Sequence, residues 1–112
     1  MEAPFSEEDL KNKIWASVLI YFLFDFNNEK NRYEIRRCVR FFLKHLYFRN
    51  KKYKIKVKID EENNPPNIID QNQGIIDISI KGIFQENLNK KIKIRLVMES
   101  TDITEFNDYI SG

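Results

Sequence analysis

An α+β fold follows from three features of the sequence. Apolar residues recur at helical spacing as far as Phe48, the period switches to two from Tyr53 onward, and short polar links separate the segments. The expected architecture is two N-terminal helices packed on a small antiparallel sheet of about three strands, forming one domain over residues 1–112.

Ser6 followed by Glu7, Glu8 and Asp9 starts the first helix, because the hydroxyl can accept a free backbone N–H and the acids suit the positive end of the helix dipole. The expected helix runs from Glu7 to near Phe22. Leu10, Ile14, Val18 and Tyr21 form its apolar stripe, widened by Trp15, Leu19 and Phe22. Asn27 and Asn28 interrupt the pattern and offer a second cap. Ile35, Val39, Phe42, Leu43 and Leu46 then mark a second helix to about Phe48. Cys38 reads as a core residue of this helix and His45 as a partly exposed structural one. Phe41 lies off the stripe, with Phe48 one heptad on; such aromatics either pack under a loop or meet a partner.

In the first strand Tyr53, Ile55, Val57 and Ile59 alternate with Lys54, Lys56 and Lys58, giving one core face and one basic face. Residues 61–73 have the Asn, Asp and Pro content of an irregular loop. The second strand, Ile75–Lys81, sets Ile76, Ile78 and Ile80 against Asp77, Ser79 and Lys81. The third, Ile92–Met98, turns Ile92, Ile94, Leu96 and Met98 inward and Lys93 and Arg95 outward.

A single cysteine excludes an internal disulfide, and no Cys/His spacing suits zinc. The longest apolar run, Ile14 to Phe24, is well short of the roughly 20 residues that span a bilayer. Acids precede that run where a signal peptide needs bases, so the protein is expected to stay where it is made. Net charge is +2 but uneven: residues 30–58 carry twelve Lys/Arg against Glu34 alone, between acidic flanks. That asymmetry fits solvated faces, nucleic acid, or head-to-tail contacts between related domains.

The segment Asp60-Glu61-Glu62-Asn63-Asn64-Pro65-Pro66-Asn67-Ile68-Ile69-Asp70 resembles, in order and spacing, the Asp-Glu-x-Asn-Asn-x-Pro-x-x-Ile-Asp stretch in the C-terminal domain of contractile-tail sheath proteins of bacteriophages. Upstream, Leu23-Phe24-Asp25-Phe26-Asn27-Asn28-Glu29 with Arg32 resembles the Leu-Phe-Glu-Phe-Asn-Asp-Glu segment and following Arg of the same domain. Phe24, Asn27, Glu29, Arg32, Asp60, Glu61, Asn63, Asn64, Pro66 and Asp70 carry the match. The layout is also similar to the small baseplate sheath initiators of phages and type VI secretion systems, once labelled lysozyme-like.

The resemblance implies a virion structural protein of a tail or baseplate, or a bacterial cytoplasmic relative, with sheath subunits and tail tube or baseplate wedge proteins as partners. It also implies a small sheet completed by strands from neighbouring subunits. Strand addition is accordingly expected beside Ile75, Ile76, Asp77, Ile78, Ser79, Ile80 and Lys81, or beside Ile92, Lys93, Ile94, Arg95 and Leu96. Only five residues precede Ser6, leaving no long N-terminal arm to donate. The expectation is therefore a sheath initiator assembling in a ring around the tube, with a sheath-end cap or sheath fragment as alternatives. Initiators commonly carry Glu-Pro-Arg after the long helix, whereas this chain reads Tyr47-Phe48-Arg49-Asn50. Phe48 and Arg49 are the candidates for a baseplate contact.

No enzyme, cofactor or metal is expected. Asp60 and Glu61 are adjacent carboxylates, whereas acid–base chemistry needs two held across a cleft in contrasting environments. The chain has no glycine-rich phosphate loop, Gly-x-Ser-x-Gly elbow or His-Glu-x-x-His motif. Nucleic-acid binding is the rival reading from another class, since Lys54, Lys56 and Lys58 share a sheet face with Lys93 and Arg95. That face carries no aromatics to stack on bases, and Asp77 interrupts it.

Overall fold

A computed structural model describes residues 5–22, 25–49, 52–84 and 88–98. The first helix, α1 (Glu7–Ser17), is capped as expected, the Asp9 N–H donating to Ser6 Oγ at 3.2 Å. It stops earlier than the apolar pattern suggests. The chain tightens into a 3₁₀ turn at Leu19–Phe22, which buries Leu19 and turns Tyr21 out to 77% exposure.

The second helix, α2 (Glu29–Phe41), is capped by Asn28, whose Oδ1 accepts from the Asn31 N–H at 2.8 Å. It continues as a π-helical stretch over Phe42–Tyr47, closed by the Phe48 N–H donating to the Leu43 carbonyl five residues back at 2.8 Å. The wider turn shifts the angular register of every following side chain. Leu46, expected on the core stripe, is exposed, and Phe48 takes the buried position instead. Phe48 there meets Phe5, Tyr47 and Tyr53 edge-on at centroid distances of 5.2, 4.8 and 4.7 Å. Tyr47 donates its hydroxyl proton to Asp9 Oδ2 at 2.8 Å, tying the end of this helical segment to the start of α1. Burial, with that hydrogen bond and the nearby Asp9 charge, pushes the Tyr47 phenol up to about 12.

The sheet has the order β1-β2-β3, all antiparallel: β1 is Tyr53–Lys58, β2 is Gln73–Gly82 and β3 is Asn89–Val97. The α+β architecture is as expected, with β2 and β3 each longer than the alternation alone suggested. The inward residues Ile55, Val57, Ile76, Ile78, Ile80, Ile92, Ile94 and Leu96 form one cluster with Leu10, Ile14, Leu19, Ile35, Val39 and Leu43 from the helical layer. Period-two burial leaves Lys54, Lys56 and Lys58 of β1 and Lys91 and Lys93 of β3 on the other, open face, whereas Lys90 lies on the helical side, 3.4 Å from Glu7.

Between β1 and β2 the loop contains a short helix not foreseen in the sequence, α3 (Pro66–Asp70). Pro66 begins it, where the missing N–H costs nothing and the fixed φ is already helical. It ends through Asn72 in the left-handed region (φ 56°), a conformation that asparagine tolerates. The Asn72 carbonyl then accepts from the Met98 N–H at 2.7 Å, closing that end of the sheet.

Candidate functional site

β2 outlasts β1. In the register of the two strands Lys58 lies opposite Asp77, so the earlier residues of β2 have no β1 residue beside them. Their backbone groups on that side need other partners, because an unpaired buried amide is costly. Side chains of the two asparagine segments supply them. The buried Asn64 side chain accepts from the Ile75 N–H at 2.7 Å and donates to the Ile75 carbonyl at 3.0 Å, imitating a strand peptide at the place where β1 has ended. One step further along the period of two, Asn27 Nδ2 donates to the Gln73 carbonyl at 2.7 Å. The same nitrogen donates to Asn64 Oδ1 at 3.1 Å, joining the two motif segments across 37 residues of sequence.

The network is anchored on both sides. Asn27 Oδ1 accepts from the buried Arg32 guanidinium at 2.9 Å. Asn64 Nδ2 donates to the Asp60 carbonyl at 3.1 Å and to Asn63 Oδ1 at 2.9 Å. Asn63 Nδ2 reaches the Lys58 carbonyl and Asp77 Oδ2, each at 2.9 Å. Asp60 Oδ1 accepts from the Glu62 N–H at 2.9 Å in an Asx turn that fixes the start of the loop. The motif residues are thus brought together by backbone completion, and Glu29, Arg32, Asp60 and Glu61 also line a groove of about 430 Å³ between α2 and the loop. Gly74 lies against this network: a Cβ there would sit 3.3 Å from Met98 Sδ and 3.7 Å from Asn27 Nδ2.

Not every motif residue takes part. Glu29 occupies the first turn of α2 near its positive end, and Glu61 and Asp70 are exposed. Pro66 shapes α3, which delivers Ile68 and Ile69 to half-buried positions. Phe24 lies outside the described residues. Gln73 and Asp77 belong to the network but not to the motif segments; the loop content of Asn and Asp was the available signal, while their partners depend on strand register.

The strand topology changes the expectation for docking. β2 is the central strand, and Ile75, Ile76, Asp77, Ile78, Ser79, Ile80 and Lys81 already lie between β3 on one side and β1 or Asn64 on the other. An arm therefore has no ladder groups to meet there. The open edges are the outer sides of β1 and β3. Antiparallel geometry alternates the direction of successive backbone groups, and the Gly82 N–H donates to the Leu88 carbonyl on the β3 side. Even-numbered residues of β2 thus face β3, and in that register Lys91, Lys93, Arg95 and Val97 point their backbone groups outward. Ile92, Ile94 and Leu96 bond inward and bury their side chains. Among the described residues none hydrogen-bonds to the outward groups of β3.

The open face carries cross-strand rows Lys58–Asp77–Lys93, Lys56–Ser79–Lys91 and Lys54–Lys81–Asn89. Lys58 Nζ is held by Glu62 at 2.7 Å, an interaction that raises its pKa. Of the two residues expected at a baseplate contact, Phe48 is largely buried in its aromatic cluster, where it lines a pocket together with Arg49. Arg49 is exposed, and its Nε donates to the Leu46 carbonyl at 3.3 Å.

Among the described residues no cluster of His, Cys, Asp and Glu could hold a metal ion, and no helix is long and apolar enough to cross a membrane. Comparison with family models, curated proteins and solved structures finds no match to this chain.

Proposed function

We propose that this chain is a structural component of a contractile injection apparatus, acting as the baseplate sheath initiator that accepts an extended arm from the first ring of sheath subunits. The observation that carries the proposal is the outer edge of β3, nine residues long and unpaired among the described residues. An edge of that length is a template for another strand unless something covers it. The asparagine network supports the same reading. By completing β2 with side chains it holds the sheet rigid at the end where β1 is missing, and a rigid sheet presents an edge at low ordering cost.

Register at such an edge would come from the outward backbone groups of Lys91, Lys93, Arg95 and Val97, with the basic open face beside them raising the association rate. Copies of the domain would stand in a ring around the tube, with Arg49 free to meet a wedge or tube protein. The experiment is a titration of the purified chain with its cognate sheath subunit. Binding that survives neutralisation of Lys54, Lys56 and Lys58 to Gln, with a slower association rate, fits strand addition. Complete loss in that variant contradicts it.

A second reading draws on the open face, where Lys54, Lys56, Lys81, Lys91, Lys93 and Arg95 cluster around Asp77. Such a face could meet a phosphate backbone without base specificity. Duplex or single-stranded DNA binding with a steep salt dependence, lost in the same lysine variant, would favour it over assembly.

A further inference from the structure

The outer face of α2 carries opposite charge at its two ends. Near its start Glu29 lies with the loop acids Asp60, Glu61 and Glu62 in the groove of about 430 Å³, against the bases Arg32 and Arg36. Towards its end a second groove, of about 610 Å³ between α2 and β1, is lined by Arg36, Arg37, Arg40, Lys44 and Lys56 with no acid. Tyr33 and Arg36 line both grooves, which therefore form one stripe. Several of its charges are already engaged. Glu62 holds Lys58 at 2.7 Å, Glu34 holds Arg37 at 3.1 Å, buried Arg32 bonds Asn27 at 2.9 Å, and Arg36 lies over the Tyr33 ring at 5.5 Å. Among the described residues no ion pair engages Glu29 and Glu61 at one end, or Arg40 and Lys44 at the other.

We infer that this stripe is a self-complementary surface for a second copy of the chain, the two α2 helices lying antiparallel across a two-fold axis near Arg37. The surface is separate from the outer edge of β3, and the inference does not depend on the arm assigned there. Two observations fix the occupant. The first is charge. An isologous contact sets each end of the stripe against the opposite end of its copy, so Glu29 and Glu61 meet Arg40 and Lys44 twice over. The second is spacing. Glu29, Tyr33, Arg40 and Lys44 follow one another at steps of four, seven and four residues, which keep them on one helix face. The midpoint of Glu29 and Lys44 falls between Arg36 and Arg37, and that of Tyr33 and Phe41 on Arg37, so a single axis pairs both sets. The Tyr33 and Phe41 rings, 53% and 59% exposed, then cover one another across the contact.

Other occupants fit less of the stripe. A nucleic acid would use the basic groove and bring its phosphates against Glu29 and Glu61 at the other end. Joining two copies edge to edge through β1 would line up Lys54, Lys56 and Lys58 of both on the open face, where like charges repel. The contact therefore runs through the helices. Glu29 to Lys44 spans ~22 Å of helix, and a patch of that size covers about 500 Å² per partner, less than the roughly 800 Å² of a standard stable interface. A weak dimer follows, favoured at low salt because exposed charges orient it.

The test is sedimentation velocity on the full chain over a concentration series at low salt. Wild type should pass from monomer to dimer as concentration rises and return to monomer as salt is added. E29K/E61K and R40E/K44E should each dimerise at least roughly tenfold more weakly, because each sets like charges across the axis. An equimolar mixture of the two should restore the dimer, since each variant supplies the charge that the other has lost. Circular dichroism checks that both are folded. Y33A/F41A changes two exposed rings outside the core cluster, so it reads the contact even where a charge reversal disturbs α2, and it should weaken the dimer as well. A wild type that stays monomeric would overturn the inference, as would folded charge variants whose mixture stays monomeric or a Y33A/F41A protein that dimerises as tightly as wild type. Monomeric protein that binds single-stranded DNA through Arg40 and Lys44 would overturn it too, by giving the basic groove to a phosphate backbone.

Discussion

Replacing Asn64 by alanine tests whether a side-chain amide holds the start of β2 in place of a strand. Asn64 is 1% exposed, and its carboxamide is hydrogen-bonded to the Ile75 N–H, the Ile75 carbonyl, the Asp60 carbonyl and two neighbouring asparagines. Truncation leaves the buried Ile75 N–H without an acceptor, at a cost of about 1–3 kcal/mol. The Ile75 carbonyl keeps Asn63 Nδ2 at 3.2 Å, so it is not orphaned. Asn27 Nδ2 keeps the Gln73 carbonyl but loses one acceptor. The expected loss is therefore about 2–4 kcal/mol, a large share of the ~5–15 kcal/mol that domains of this kind possess. Urea unfolding followed by circular dichroism measures it. Asn27→Ala should be coupled to Asn64→Ala by about 0.5–3 kcal/mol in a double-mutant cycle, because the two side chains share a bond. Additive losses, or a loss below about 0.5 kcal/mol for Asn64→Ala, the range of an ordinary surface change, would refute the bridging role.

Three further outcomes follow from the packing. Phe48→Ala should cost about 3–5 kcal/mol whereas Leu46→Ala should stay within about 0.5 kcal/mol, the reverse of what an uninterrupted α-helix would give; the same urea titrations decide it. Gly74→Ala should destabilise by about 1–2 kcal/mol, since Met98 Sδ must move from a 3.3 Å approach, and pairing it with Met98→Ala should recover part of that loss. Tyr47 has its folded-state pKa raised to about 12 from 10, so its contribution to stability is fully present below pH 10 and is lost as the pH rises towards 12. The difference in stability between wild type and Tyr47→Phe should shrink over that window, and a difference independent of pH would contradict the raised pKa that burial and the Asp9 bond together produce.

The parts of the fold legible in the sequence were those set by local periodicity. Alternation placed Ile55, Ile78 and Ile94 on the core face, and the Ser6 and Asn28 caps started their helices as expected. The helix ends were less legible, because a 3₁₀ turn at Leu19–Phe22 and a π-helical turn at Phe42–Tyr47 change the angle per residue without changing composition. Tyr21 and Leu46 were misplaced for that reason. The asparagines were visible as a motif, but their task was not: that Asn64 meets Ile75 follows only from β2 running past the end of β1. Strand order was equally non-local. It moved the available edges away from Ile75–Lys81 to the outer sides of β1 and β3.

The proposed role as an acceptor of a sheath arm rests on the outer edge of β3, and a proline placed there tests it most directly. Lys93 is exposed, its N–H faces away from β2, and proline at such a position removes no bond within the sheet. Lys93→Pro should stay folded, with circular dichroism and urea midpoint close to those of Lys93→Gln. Titration against the cognate sheath subunit should show binding by Lys93→Gln close to wild type. Lys93→Pro should bind at least roughly tenfold more weakly, through one lost ladder bond and a blocked register. A folded Lys93→Pro protein that binds the sheath subunit as tightly as Lys93→Gln would contradict strand addition at β3.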